Sequence, residues 1–273
     1  MPRWRFYLRH WFWQGIDLLF PPQCAHCGRR GARLCETCAQ AITPVEPPFC
    51  PRCGYGLPHT RDQCPACAAA AAMLPRDGWA FRRARAWAWY QGPIRSVIQA
   101  LKYRRDLGLG EAVARWLLPW VRRLGWKPDC FIPMPLAPTR QRERGYNQVA
   151  LVAQPLAEAL DWPYCPQALT RADRPSQVGR GWRARWANVR GVFRARRDQV
   201  QHRVVVLMDD VMTTGATLHA ASLALRQAGA AAVDALTIAR VQQHVPRPTT
   251  SFFNPRKEAS YVQRSALRDL YAR

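Results

Sequence analysis

The sequence is short of negative charge and nearly devoid of lysine. Only 18 Asp and Glu stand against 41 Lys and Arg, a formal net charge of +23, and just Lys102, Lys127 and Lys257 are lysines. The balance favours polyanionic partners: nucleic acid, phosphorylated metabolites or anionic lipid. The scarcity of lysine carries no functional weight, because abundant alanine beside the arginine points to base composition. No Gly-Lys-Ser or Gly-Lys-Thr occurs, which excludes a P-loop nucleotide site. No apolar run is long enough to cross a bilayer; the opening "MPRWRFYLRHWFWQGIDLLF" is interrupted by Arg5, Arg9, His10 and Asp17. No small-residue cleavage site follows that run, so neither export nor stable membrane insertion is expected.

What the opening run does have is helical spacing of Trp4, Leu8, Trp11, Phe12, Ile16 and Leu19. This predicts an amphipathic helix within residues 1–22. Packing on its own protein is the first expectation and a peripheral place on a membrane surface the second. With 273 residues and 48% apolar content, the chain can bury the core of one medium domain beside a smaller module.

Cysteine is concentrated where it is useful. Cys24, Cys27, Cys35, Cys38, Cys50, Cys53, Cys64 and Cys67 form four Cys-x-x-Cys pairs separated by seven, eleven and ten residues. A two-residue gap turns both thiolates of a pair onto one cation, and two pairs complete a tetrahedral site of four sulfurs. Eight ligands therefore predict two structural Zn2+ ions in a double zinc ribbon over residues 23–75. Pairing in sequence order is the natural arrangement and an interleaved one the alternative. Gly28 and Gly54 directly follow ligand pairs, where a tight knuckle needs unusual backbone angles. A segment with so few large apolar residues is expected to fold only with its metal. Cys130 and Cys165 stand alone in the sequence and read as buried thiols. "CAAAAAMLPRDG", from Cys67, reads as a short connecting helix or linker with a module boundary near residue 75.

Further on, "VVVLMDDVMTTGATL" (204–218) opens as an apolar, β-branched strand of the kind buried on both faces. Helical spacing runs from Ala216 to Arg226, Gly229 ends it, and "VDALTIA" (233–239) is a second strand. A βαβ unit of this kind implies a mostly parallel α/β sheet with its ligand at the carboxyl ends of the strands. Asp209 and Asp210 sit at that end. Thr213, Thr214, Gly215, Ala216 and Thr217 form the turn into the helix, where free N–H groups and the helix dipole favour an anion. Two carboxylates beside such a cup suit sugar hydroxyls, or a Mg2+ those hydroxyls share. The expected ligand is a sugar 5-phosphate.

The stretch resembles the phosphoribosyl pyrophosphate (PRPP) motif of type I phosphoribosyltransferases: an apolar strand, two acidic residues, then T-T-G-x-T. "IQALKYRRD" (98–106), "IPMPLAPTRQRERGYNQ" (132–148), Gln177, Arg185 with Asn188, and the motif at Asp209, after a double zinc ribbon, together resemble the ComF family of competence-associated proteins. That resemblance covers roughly residues 17–241. It implies a type I phosphoribosyltransferase-like parallel sheet flanked by helices over 76–242, and a cytoplasmic location with a peripheral place at the inner membrane as the variant. Implied partners are PRPP or a related ribose 5-phosphate, single-stranded DNA and the DNA-uptake machinery.

Carried over by residue, the resemblance puts the ribose hydroxyls on Asp209 and Asp210 and the 5-phosphate on 213–217. It puts the pyrophosphate on the turn at Met134 and Pro135, with Arg140, Arg144 and Lys102 neutralising charge. Arg140, Arg142 and Arg144 read as an exposed loop, Arg142 being either a functional residue or simply a solvated one. Residues 169–203, rich in Arg and including Arg183 and Arg185, read as an anion-seeking flap. No residue is an obvious general base, and His59, His202, His219 and His244 read as surface or packing residues. A phosphoribosyltransferase, a non-catalytic PRPP sensor and an adaptor for single-stranded DNA or protein are the competing functions. The tail 243–273, a Pro-rich linker and a short amphipathic helix near 261–271, departs from the family pattern and has no assigned role.

Overall fold

The computed structural model describes residues 13, 15–17, 20–59, 64–75, 78–173 and 186–242. Short helices α1 (Glu36–Gln40) and α2 (Pro65–Ala71) lie in the cysteine-rich part. Then follow β1 (Arg83–Trp89), α3 (Gly92–Tyr103), α4 (Gly108–Arg123), β2 (Cys130–Pro133), α5 (Pro138–Arg144) and α6 (Gln148–Leu160). The remainder is β3 (Leu169–Arg171), β4 (Phe193–Ala195), α7 (Arg197–Val200), β5 (Val204–Met212), α8 (Ala216–Gln227) and β6 (Ala232–Arg240).

Four strands pair in parallel in the order β1-β6-β5-β2. The interior strands β5 and β6 are buried from Val205 to Met208 and from Val233 to Ala239, because both faces of the sheet are covered. One face packs on α3, α4 and α6; the other packs on α8 and on the small antiparallel pair β3–β4. Asn147 caps the start of α6. The Asn147 side chain accepts from the N–H groups of Val149 and Ala150 at 2.9 and 3.3 Å, a cap that stabilises the helix by about 1 kcal/mol. The cap also fixes where Gln148 enters the fold.

The cysteine-rich part covers the outer edge of β1. Val45 N–H donates to the Trp87 carbonyl at 2.9 Å, and Trp89 N–H donates to the Thr43 carbonyl at 3.0 Å. An edge strand left open would offer these groups to another chain. Cys24, Ala25, Leu34 and Cys38 join the apolar cluster on one face of the sheet, while Cys50, Cys53, Tyr55 and Leu57 join the cluster on the other. The two ribbons thus straddle β1. Residues 65–71 are helical, as the alanine run predicts, and the ribbons and the sheet fall in one compact unit rather than two tethered ones.

Trp13 and residues 15–17 are helical, and this end packs on the chain itself: Arg33 pairs with Asp17 and lies over the Trp13 ring. Residues 1–12 of the expected helix, Gln177, Arg183 and Arg185 of the flap, and the tail 243–273 lie outside the described residues.

Candidate functional site

The carboxyl end of β5 brings Asp209 and Asp210 to the edge of the sheet. Asp210 is buried at 7% exposure. Lys102 Nζ from the end of α3 lies 2.9 Å from Asp210 Oδ2, and Gln148 Nε2 donates to the same oxygen at 2.9 Å. Arg144 Nη1 in turn donates to Gln148 Oε1 at 2.8 Å and lies over the Tyr103 ring. Asp209 takes a different environment. Its Oδ1 accepts from the Asp210 N–H at 2.8 Å, and burial together with the Asp210 charge pushes its pKa up to about 7, against the pull of Lys102 and Arg171.

The turn after β5 runs through Thr213 and Thr214 to Gly215, which takes φ +80 and caps α8. A side chain at Gly215 would meet Trp79 at 2.7 Å and Met212 at 2.9 Å, so only glycine fits. Thr214 Oγ1 accepts from the Ala216 N–H at 3.4 Å, and Thr217 follows in the first turn of α8. The Met134 and Pro135 turn stands beside this end of the sheet: Met134 N–H donates to the Met208 carbonyl at 2.7 Å, and Asn147 Nδ2 donates to the Met134 carbonyl at 2.9 Å.

Arg140, Arg142 and Arg144 do not lie on a loop. Pro138 opens and a left-handed Gly145 closes the helix α5 that carries them, since proline suits the first helical turn and glycine the end. A cavity of about 440 Å³ opens among Lys102, Tyr103, Arg105, Arg140, Glu143, Arg144 and Tyr146. Arg142 points elsewhere, 72% exposed and 4.0 Å from Asp173. Gln148 and Arg171 belong to this site and were not singled out from the sequence. Gln148 closes the stretch 132–148 that carries the family resemblance, while nothing in the local sequence marks Arg171.

The raised Asp209 has a consequence for stability. A carboxyl whose folded pKa exceeds its ordinary 3.8 favours the folded chain while protonated, and this contribution is lost as pH rises towards about 7. The permanently neutral Asp209→Asn variant is expected to melt above the wild type near pH 8, with the gap closing near pH 5, in paired thermal melts at about those pH values. An equal gap at both would show that Asp209 is not held protonated.

Two sets of four thiols converge, Cys24, Cys27, Cys35 and Cys38 in one and Cys50, Cys53, Cys64 and Cys67 in the other, the sulfurs of each within 4.8 Å of one another. Pairing follows sequence order. The Cys27–Cys35, Cys53–Cys64 and Cys50–Cys67 sulfurs stand 3.7, 3.4 and 3.8 Å apart. Tetrahedral zinc with Zn–S of about 2.3 Å spaces sulfurs about 3.8 Å apart, so both sets fit the ion. The knuckles match as well: Gly28 N–H donates to the Cys24 carbonyl and Gly54 N–H to the Cys50 carbonyl, each glycine at positive φ.

Cys130 and Cys165 are not solitary. The interaction between their thiols, together with burial, raises the Cys130 pKa, and the same interaction lowers that of Cys165 to about 7 against the opposing effect of burial. The parallel bridge between Phe131 and Tyr164 brings them together. Cys130 is buried as expected, while Cys165 is half-exposed.

Residues 15–69 match the double zinc ribbon domain family. Over 213 residues the chain is 32% identical to the DNA utilization protein YhgH of Escherichia coli K12, covering 76% of this chain and 90% of that one. The chain belongs to the ComF family. Competence protein F of Haemophilus influenzae is 29% identical over 232 residues, covering 80% of this ComF chain and 96% of its own length. Competence protein ComFC of Bacillus subtilis is 27% identical, with coverages of 84% and 89%. Among solved structures, adenine phosphoribosyltransferase from Thermoanaerobacter pseudethanolicus overlaps 55% of this chain and 87% of its own at 16% identity and a TM-score of 0.33. The ComF chain has a four-stranded parallel sheet behind a double zinc ribbon. No helix among the described residues is long and apolar enough to cross a membrane.

Proposed function

We infer that this ComF protein binds PRPP, or a related ribose 5-phosphate, at the carboxyl end of β5 and transfers its ribosyl group in the handling of incoming DNA. The observation that carries this reading is the junction of a carboxylate pair with an open helix start. Asp209 and Asp210 lie near the end of β5, and the turn that follows leads to a left-handed Gly215 that caps α8, where a helix start favours an anion. The ribose hydroxyls meet the carboxylates, the 5-phosphate meets 213–217, and the pyrophosphate meets Met134–Pro135 within reach of Arg140 and Arg144. Asp209 and Asp210 would also hold Mg2+ through the ribose hydroxyls, and the ion would supply charge neutralisation for the leaving pyrophosphate.

In the transfer, a nucleophile attacks the anomeric carbon as the bond to pyrophosphate breaks. Arg140 and Arg144 stabilise the departing charge. Lys102 and Gln148 hold the Asp210 side chain in position. Calorimetric titration with PRPP and Mg2+ tests the reading. Wild-type protein is expected to bind, and Asp210→Asn to bind at least tenfold more weakly, because it loses a charge-assisted contact of roughly 1.5–3 kcal/mol. Equal binding by the two proteins would remove the carboxylates from the site.

A second reading, PRPP sensing without turnover, is favoured by one observation. His219 accepts from the Ala80 N–H at 3.1 Å through Nδ1 and packs against Trp79 and Trp186, so that nitrogen is engaged within the fold, and burial lowers its pKa. No other histidine among the described residues lies in the site. Pyrophosphate release with a panel of bases separates the two. An adaptor for single-stranded DNA would instead bind oligonucleotides with steep salt dependence that Asp210→Asn leaves unchanged.

A further inference from the structure

Trp79 joins the second cysteine site to the phosphate turn. Its indole Nε1–H donates to Cys67 Sγ at 3.4 Å. The opposite edge of the same ring meets Gly215, where an added Cβ would lie 2.7 Å from Cη2 and 2.8 Å from Cζ3. The main chain repeats the connection: Arg52, between two ligands of that site, donates to the Trp79 carbonyl at 2.8 Å, and Ala80 N–H donates to His219 in the first turn of α8 at 3.1 Å. The ring cannot drift, being 5% exposed, stacked on Phe81 at 4.9 Å and leaning on Trp186.

We propose that Trp79 is a positioning residue through which the second zinc site holds the phosphate turn in its anion-binding shape. A metal-bound thiolate is a fixed acceptor, so it orients the indole N–H. The rigid ring transmits that orientation across its width to Gly215, whose backbone has no side chain to resist the contact. The zinc ion serves here as an anchor for Cys67 and takes no part in chemistry at the cup. The first cysteine site has a different attachment and serves as an internal control: His26 bonds Ser96 and Arg33 pairs with Asp106, on the segment from α3 to α4. Coupling between two sites is reciprocal. An anion in the turn therefore changes the surroundings of Cys67, and loss of the Cys67 anchor weakens the anion.

This inference rests on the PRPP reading above. The test uses full-length protein with Co2+ in both sites, whose thiolate charge-transfer and d–d bands report the sulfur environment without reference to activity. PRPP with Mg2+ is titrated in parallel by calorimetry and by visible spectroscopy. The expected result is a band shift that saturates with the calorimetric isotherm. Trp79→Phe, checked for two bound Co2+ and wild-type circular dichroism, should lose the band shift and bind PRPP roughly five- to tenfold more weakly. Calorimetric binding with unchanged bands in the wild type would overturn the coupling, and so would a Trp79→Phe protein that binds as tightly as wild type. A calorimetric blank with wild-type protein would overturn the PRPP reading itself and this inference with it. The wild-type titration decides the matter even if the variant does not fold.

Discussion

Cys53→Ser is expected to reduce the bound zinc from two ions to one and to unfold the second ribbon. The residue is 1% exposed, and its sulfur stands 3.4 Å from that of Cys64. Around this site the ribbon supplies little apolar mass of its own beyond Tyr55, Leu57, Ala66 and Ala70. Structural zinc contributes an apparent 10–16 kcal/mol to small domains of this kind, far more than that handful of contacts can replace. The loss should reach the sheet as well. Cys53 accepts a hydrogen bond from Arg240 through its carbonyl, and the Arg52 carbonyl accepts from the Ala84 N–H of β1 at 2.7 Å. Native mass spectrometry would count the ions, and hydrogen exchange would show the segment from 50 to 71 and β1 losing protection together. A variant that retains two zinc ions would mean that three sulfurs suffice.

Much of this architecture is written locally in the chain. Spacing alone places the eight cysteines in two sites, since a two-residue gap has one common use when repeated four times. The apolar run at Val204, the carboxylates at its end and the left-handed Gly215 are likewise neighbours in sequence, and the turn between them depends on their backbone requirements. What the sequence hides is convergence over distance. Gln148 and Lys102 meet at Asp210 although 62 residues separate Gln148 from it. Cys130 and Cys165 read as solitary because the bridge that pairs them joins Phe131 to Tyr164 across a crossover.

The arginines of α5 were misplaced for a different reason. Prolines at 133, 135 and 138 mark an irregular stretch, yet the last of these is also the usual first residue of a helix, and composition does not distinguish the two. The placement of the ribbons on β1 was also hidden. Alternating Arg and Ala in β1 looks like a half-solvated edge, but Arg85 lies over Phe49 and donates to the Pro51 carbonyl at 3.1 Å. A charged residue there is covered by the neighbouring module through its stem and plane.

Arg240 presents the same problem in its most extreme form, an arginine 1% exposed at the end of an interior strand. Its Nη1 donates to the Cys53 carbonyl, its guanidinium lies 4.9 Å from the centre of the Tyr55 ring, and its Nε has no hydrogen-bond partner. A guanidinium this dry needs a compensating anion, and Cys53, whose carbonyl it bonds, is one of the four thiols of the second metal site. Four thiolates around one Zn2+ carry a net charge of −2, which Arg240 and the nearby Arg85 balance. Arg240→Met keeps the volume and deletes the charge, leaving the thiolate cluster undercompensated at a cost of about 3 kcal/mol. In a chain of this size that lowers the melting temperature by roughly 6–12 °C. The effect should depend on the metal. After chelation the second ribbon is already unfolded and the anion is gone, so the same substitution should then cost little. Melting wild type and Arg240→Met with and without zinc closes a four-state cycle. A loss of equal size in both metal states would show that Arg240 serves the sheet alone and that the zinc cluster finds its countercharge elsewhere.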